Sequence, residues 1–294
     1  MIGRLYRKLL RRALRLPGLR YDDIAELRLA EQRMEETGTE FLYRNRFGYY
    51  TTINGQHYLN FVFEHQFPND CYDILDFLAA RDDDFDVVID VGACLGVVSL
   101  YCGLRSNRVI AVEAHGANVD RIHANIALNE KLLDRSFGIE VVQYAITSRD
   151  EPQSFHESDS IGHGSLRRIR DGSGAVLQVE GRTLDRLCEE REVAHVDLLK
   201  IDVEGAELDV LRGGAGLLAR QAIGLIIFEA SFTVLEDIEA GKQELIESLA
   251  LLHAHGYEVA TLDGRPVDAS IVSAIDDHFV ADFVATPVSP ALGE

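Results

Sequence analysis

From about residue 86 the chain alternates short apolar runs with amphipathic stretches. Val87–Val91, Arg108–Glu113 and Ile139–Tyr144 read as strands buried on both faces. Between them, Leu95–Leu104 and Ala117–Asn129 carry apolar residues at helical spacing. Residues 145–182 are polar and Gly-rich and break the rhythm, which suits an inserted hairpin or a mobile loop. The pattern resumes with a strand at Val196–Val203, a helix at Ala206–Ala219 and a strand at Gly224–Glu229. A helix at Leu245–His255 and strands at Tyr257–Leu262 and His278–Thr286 complete it. This alternation predicts an α/β fold: a doubly wound, mostly parallel seven-stranded sheet. The final strand, reached without a helix, is expected to be antiparallel.

Upstream the pattern differs. Ile2, Leu5, Leu9 and Ala13 or Leu14 recur at helical spacing opposite Arg4, Arg7, Lys8, Arg11 and Arg15, until Pro17 and Gly18 end the segment. Residues 22–36 read as a second, acidic helix. Phe41–Tyr50 and Tyr58–Phe63 are aromatic-rich and β-prone, and Asn54-Gly55 between them predicts a hairpin turn. Tyr72–Ala80 reads as a short helix. The expected organisation is therefore a basic amphipathic helix over 1–20, a helix-and-hairpin extension over 21–80 and the α/β domain over 81–294.

With 47% apolar and 27% charged residues, the chain can bury a sizeable core and is not globally disordered. No apolar run approaches the roughly 18 residues of a membrane span. Cys71, Cys94, Cys102 and Cys188 show no paired spacing and read as reduced thiols, which predicts a cytoplasmic protein. Charge is uneven. The net charge is −20, yet the first 20 residues hold seven bases and no acid, leaving 22 bases against 49 acids in the remainder. So acidic a body excludes nucleic acid as the main partner. The basic helix instead suits peripheral contact with the inner face of an anionic membrane, or docking on the acidic body or on a second copy in a homo-oligomer.

In doubly wound sheets, ligands sit beyond the carboxyl ends of the strands. The first strand ends Asp90-Val-Gly92-Ala93-Cys94-Leu-Gly96 and the second ends at Glu113. Gly92, Cys94 and Val97 do not make the G-x-G-x-x-G of a dinucleotide site, and no Lys follows to make a P-loop. The remaining arrangement suits S-adenosylmethionine: its carboxylate on helix amides, its ammonium on an acid such as Asp90, its ribose on Glu113. Asp90, Gly92, Ala93, Gly96, Glu113 and, just past the third strand, Ala145 make up the expected cofactor-binding set. The fourth strand ends with Lys200, Asp202 and Glu204 alternating, which predicts all three on one face at the sheet's edge. Glu229 ends the fifth, and Glu207 reads as a first-turn helix acid.

These segments resemble the FkbM family of S-adenosylmethionine-dependent methyltransferases. The resemblance is carried by Val88-Ile-Asp-Val-Gly-Ala-Cys-Leu-Gly-Val-Val-Ser99, by Val109-Ile-Ala-Val-Glu113 with Asn125 and Asn129, and by Arg182-Thr-Leu-Asp185-Arg-Leu. Lys200-Ile-Asp-Val-Glu-Gly-Ala-Glu207 and Ile226-Ile-Phe-Glu229 complete it, over roughly residues 60–232. It implies a class I, Rossmann-like fold and O-methylation, often of sugar hydroxyls in glycans or glycolipids and sometimes of secondary-metabolite alcohols. Two positions depart from the family pattern: Cys94 stands where Asn is usual and Ala114 where Pro is usual. A non-catalytic binding or scaffold protein on the same fold is the alternative reading. For catalysis, a base is expected among Asp202, Glu204 and His163, the last in the loop Ile161-Gly-His-Gly-Ser165. Asp202, Glu204 and Glu229 also make an oxygen-ligand set of the kind Mg²⁺ takes, although no metal is assigned from sequence.

Overall fold

The structure, a computed structural model, describes residues 41–44, 47–53, 70–81, 84–158, 164–170, 172–232, 235–275 and 279–288. The helices expected over 1–20 and 22–36, the strand over 58–63 and His163 lie outside them. The chain divides into two compact units between Tyr72 and Asp73, each described by itself.

In the first unit, β1 (Phe41–Arg44) pairs antiparallel with β2 (Tyr50–Ile53), and Gly48 takes a φ of 99° between them. The run Phe41–Tyr50 is thus not one strand: the chain reverses between Arg44 and Tyr50, with left-handed Gly48 in the reversal, while the turn expected at Asn54-Gly55 lies outside the described residues.

The second unit takes in most of α1 (Asp70–Ala79), whose Ile74, Leu75 and Leu78 are buried. Its centre is a sheet of β3 (Val87–Val91), β4 (Arg108–Glu113), β5 (Ile139–Gln143), β10 (Val196–Ile201), β11 (Ile223–Ser231), β12 (Tyr257–Thr261) and β13 (Val280–Pro287). The strand order is β5-β4-β3-β10-β11-β13-β12. β3, β4, β5, β10 and β11 run parallel, and β13 is antiparallel to both neighbours, as expected of a strand reached without a helix. Every residue of β3 and β4 after the first is buried, so the sheet is covered on both faces. The connecting helices include α2 (Val97–Gly103), α3 (Gly116–Leu133), α4 (Leu184–Glu190) and α7 (Ile238–Ala254).

The break in rhythm at 145–182 is a hairpin. β7 (Gln153–Ser158) pairs antiparallel with β8 (Gly172–Val179), beside a two-residue parallel bridge of β6 (Ala145–Ile146) with β9 (Gly181–Arg182). The helix expected over 206–219 is two short ones, α5 (Glu207–Gly213) and α6 (Ala215–Ala219). A Cβ on Gly213 would sit 2.1 Å from the Thr147 carbonyl oxygen, so backbone packs on backbone where the helix restarts.

Strand order reverses at β3, which lies between β4 and β10. The crevice beyond the carboxyl ends of β3, β4 and β10 is therefore the place to look for a ligand.

Candidate active site

Asp90 and Lys200 are register partners on adjacent strands, and both are buried. The Asp90 Oδ2 accepts from Ser99 Oγ at 2.6 Å, and its Oδ1 lies 3.5 Å from the Lys200 ammonium. Lys200 Nζ also donates to the Gly92 carbonyl and to Asp202 Oδ2, each at 3.1 Å. One cation thus ties the ends of β3 and β10 together. Asp90 is fully buried, so it anchors the crevice floor from inside and offers no surface to a ligand as it stands.

Gly92 has a φ of 77°, and a Cβ there would fall 1.8 Å from the Asp202 carbonyl oxygen. The glycine is required by the neighbouring chain, whereas the sequence reading gave it to close approach of a ligand. Gly96 (φ 79°) enters α2, and a Cβ on it would press on Ile122 of α3 at 3.2 Å. The amides expected to await a carboxylate are largely engaged. Those of Gly92 and Ala93 donate to the Val112 carbonyl, that of Gly96 to the Ala93 carbonyl, and that of Cys94 to Glu113 Oε2 at 2.8 Å. Ala93 and Ala145 are buried, and the Ala145 amide is bonded to the Glu180 carbonyl.

Glu113 is buried at the end of β4. Its Oε1 accepts from the His115 amide at 2.8 Å, its Oε2 from Cys94, and Asn118 also bonds the carboxyl. Burial pushes its pKa up, against these donors. With three donors already on a carboxylate that has about four acceptor sites, room for one further hydroxyl remains. His115 reaches Glu157 on β7 at 2.8 Å and stacks on Phe155, linking the hairpin to this corner.

The Cys94 thiol is pushed up to about 12 by burial and by the nearby Glu113 and Asp202 carboxylates, which excludes it as a nucleophile. Its φ of 52° is left-handed, a conformation that Asn tolerates better than Cys.

At the end of β10 the structure departs from the sequence reading. The strand stops at Ile201, although the Asp202 amide still bonds the Val91 carbonyl. Glu204 (φ 53°) and Gly205 (φ 97°) are both left-handed, so Glu204 does not continue the strand's alternation. Glu207, read only as a helix-start acid, holds this turn: its Oε1 accepts from the amides of Val203 and Gly205 at 3.2 and 3.0 Å. Ser165 supports it from the other side, with Oγ donating to the Glu204 carbonyl at 2.7 Å. Arg167, two residues on, makes a bidentate pair with Glu244 of α7 and reaches Asp209 of α5 at 2.9 Å. Sequence periodicity gave no sign of Ser165 or Arg167, because their role is to tie segments distant in sequence.

Carboxylate oxygens of Asp202, Glu204 and Glu229 all lie within 4.8 Å of one another. Burial, then the charges of Asp202 and Glu207, raise the Glu204 pKa well above the ordinary carboxylate range. The side chain of Asp202 is a quarter exposed and is the open face of the group.

Residues 90–259 match the model of the methyltransferase FkbM domain, which is more than half of the chain. The chain belongs to the FkbM methyltransferase family. Its β5-β4-β3-β10-β11-β13-β12 order gives this family member a Rossmann-like class I architecture. It is 30% identical over 158 residues to the hexuronic acid methyltransferase AglP of Haloferax volcanii, covering 53% of this chain and 61% of that one. It is 27% identical over 207 residues to the methyltransferase sdnD of Sordaria araneosa, covering 59% and 75%. The FkbM methyltransferase of Methylobacillus flagellatus aligns structurally over 70% of this chain and 44% of its own, with 14% identity and a TM-score of 0.43. The chain thus spans about three fifths of the Haloferax relative's length.

Proposed function

We propose that this FkbM protein is an S-adenosylmethionine-dependent O-methyltransferase acting on a hydroxyl, that of a sugar in a glycan, a glycolipid or a secondary metabolite. The observation that carries the reading is the carboxylate pair Asp202 and Glu204 at the carboxyl end of β10, beside the β3 turn at the sheet's reversal point. The sugar class is supported by the Haloferax relative, a hexuronic acid methyltransferase.

The donor set fits a cationic cosubstrate. Asp202, Glu204, Glu229 and Glu113 ring the crevice, and the Lys200 ammonium is committed to Asp90 and Asp202. When bound, S-adenosylmethionine supplies an electrophilic methyl group on a sulfonium. Glu113 would hold its ribose, and the segment from Gly92 to Gly96 would border its amino-acid end. The chain's own work is then alignment and proton removal. A sugar hydroxyl is a poor nucleophile until its proton leaves, and a base in hydrogen-bond reach contributes about 10²–10⁴-fold. Asp202 is the accessible candidate; Glu204 is more buried, and with its raised pKa it must first give up its own proton to act as the base. Either, when ionised, would accept the hydroxyl proton as the new C–O bond forms and the methyl–sulfur bond breaks, with the sulfur leaving as a neutral thioether. Residues 1–20 would bring the enzyme to the membrane at which a lipid-linked acceptor is built.

Incubation with methyl-labelled S-adenosylmethionine and cell-envelope extract, followed by identification of the labelled product, tests the reading. A methyl ether on a sugar is expected. Asp202→Asn or Glu204→Gln should bind the cosubstrate in calorimetry yet turn over at least a hundredfold more slowly. Absence of cosubstrate binding at millimolar concentration would overturn the reading in favour of a scaffold.

A further inference from the structure

Among the described residues, the cluster of three potential metal-ligating side chains is Asp202, Glu204 and Glu229, drawn from the β10 turn and from β11. Three carboxylates this close repel one another, so such a group is held together by burial, by protons or by a cation. The Lys200 ammonium sits between Asp90 and Asp202, and Arg167 is taken by Glu244 and Asp209. Asp282 stands opposite Glu229 in the β11–β13 register, bringing a further acid beside the cluster.

A second observation is independent of this crowding. Glu204 is only 9% exposed, Ser231 bonds its carboxyl, and Oε2 is left buried with no hydrogen-bond partner. Buried polar atoms in folded proteins are satisfied in the great majority of cases, and an orphaned oxygen on a buried carboxylate that belongs to such a group suits a metal ligand. The spacing agrees. Oxygens around Ca²⁺ lie about 2.3–2.6 Å from the ion and around Mg²⁺ about 2.0–2.1 Å, so opposite ligands are separated by about 4–5 Å. Separations within 4.8 Å fit the Ca²⁺ geometry as they stand, while Mg²⁺, with opposite ligands about 4.2 Å apart at most, would draw the side chains in by a few tenths of an ångström.

We infer that Asp202, Glu204 and Glu229 bind a hard divalent cation, of the Mg²⁺ or Ca²⁺ class, whose remaining positions take hydroxyl oxygens of the acceptor. This rests on the methyltransferase reading only for the last clause; the cation site itself does not need it. Three protein oxygens leave about half of an octahedral shell for water or substrate, and two adjacent positions match two neighbouring hydroxyls on a sugar ring. The cation would fix which hydroxyl approaches and would ease loss of its proton to the second oxygen of a ligand carboxylate such as the part-exposed Asp202. An acceptor carrying a vicinal diol is therefore preferred over a simple alcohol.

The test uses full-length protein freed of metal with EDTA and titrated with Mn²⁺, followed by electron paramagnetic resonance. One Mn²⁺ per chain should bind and be displaced by Mg²⁺ or Ca²⁺ but not by K⁺. Glu204→Gln and Glu229→Gln should each weaken it tenfold or more, while Glu239→Gln on the surface of α7 leaves it unchanged. The wild-type titration needs no variant to fold, and circular dichroism checks those used. Absence of a stoichiometric site, or Mn²⁺ binding indifferent to both substitutions, overturns the inference, the latter exposing loose binding elsewhere on an acidic surface. Methyl transfer undiminished in EDTA would sink the cation and leave the enzyme reading intact. A cation site in a protein that binds no S-adenosylmethionine would do the reverse.

Discussion

Two residues carry consequences that their neighbours do not. Cys94 holds a left-handed φ of 52° in the turn after β3, where a side chain other than Gly or Asn costs about 1 kcal/mol. Cys94→Asn should relieve part of that cost and raise stability by roughly 0.5–1 kcal/mol, a rise of a few degrees in thermal midpoint. Because burial pushes the native thiol up to about 12, iodoacetamide at pH 8 should leave it unmodified until the protein unfolds, as mass spectrometry would show. Glu207 is a second case. Its carboxyl is raised to about 7 by burial, against an ordinary value of 4.5. The sign follows from proton uptake: between those values the folded chain keeps a proton that the unfolded chain has released, so stability falls as pH rises from about 4.5 to 7. The loss above pH 7 is roughly 3 kcal/mol. Glu207→Gln keeps a carbonyl oxygen for the Val203 and Gly205 amides and removes the titration. It should match the wild type near pH 4.5 and unfold at higher urea near pH 8; equal midpoints at both pH values would show that the carboxyl is not held protonated.

At the scale of elements, the family motif Arg182-Thr-Leu-Asp185 is structural. Thr183 caps α4 by accepting from the Arg186 amide, and Asp185 grips the start of α6, accepting from the amides of Gly216 at 2.7 Å and Leu217 at 2.9 Å. Asp185→Ala leaves two helix-start amides without that partner and should cost about 1–2 kcal/mol in urea denaturation, with Asp185→Asn recovering part of it. The positions of the central strands were legible in advance because those strands are buried on both faces and so read as continuous apolar runs. Legibility ended where backbone conformation, rather than burial period, decides the outcome. Glu204 was placed on a strand because alternation cannot register a positive φ, and Gly213-Gly214 was carried through a helix that restarts there. Gly92 and Gly96 were read as a ligand's clearance, although each meets another part of the chain first. The acids of the rim were recognisable because an apolar strand ending in charge is costly unless the charge is used. Their third-dimension partners, Ser165 and Arg167, carried no such mark.

Across the whole molecule, charge is divided so sharply that it dictates how the protein can meet a surface. Residues 1–20 carry seven bases and the rest of the chain an excess of 27 acids. Among the described residues no helix is long and apolar enough to cross a membrane, so any membrane contact built on them would be interfacial. Each Lys or Arg near an anionic leaflet contributes about 1 kcal/mol, while repulsion of the acidic body fades over a Debye length of about 8 Å at physiological salt. A basic segment reaching the surface ahead of the body therefore gains more than the body loses, provided the body stands off by about that distance. The full chain should co-sediment with vesicles containing phosphatidylglycerol, fail to do so with purely phosphatidylcholine vesicles, and be released as salt rises toward 0.5 M. Deletion of residues 1–20 should abolish sedimentation while leaving methyl transfer to a soluble acceptor intact. Vesicle binding that survives the deletion would place the contact elsewhere and sever the link between the N-terminal charge and a membrane-borne acceptor.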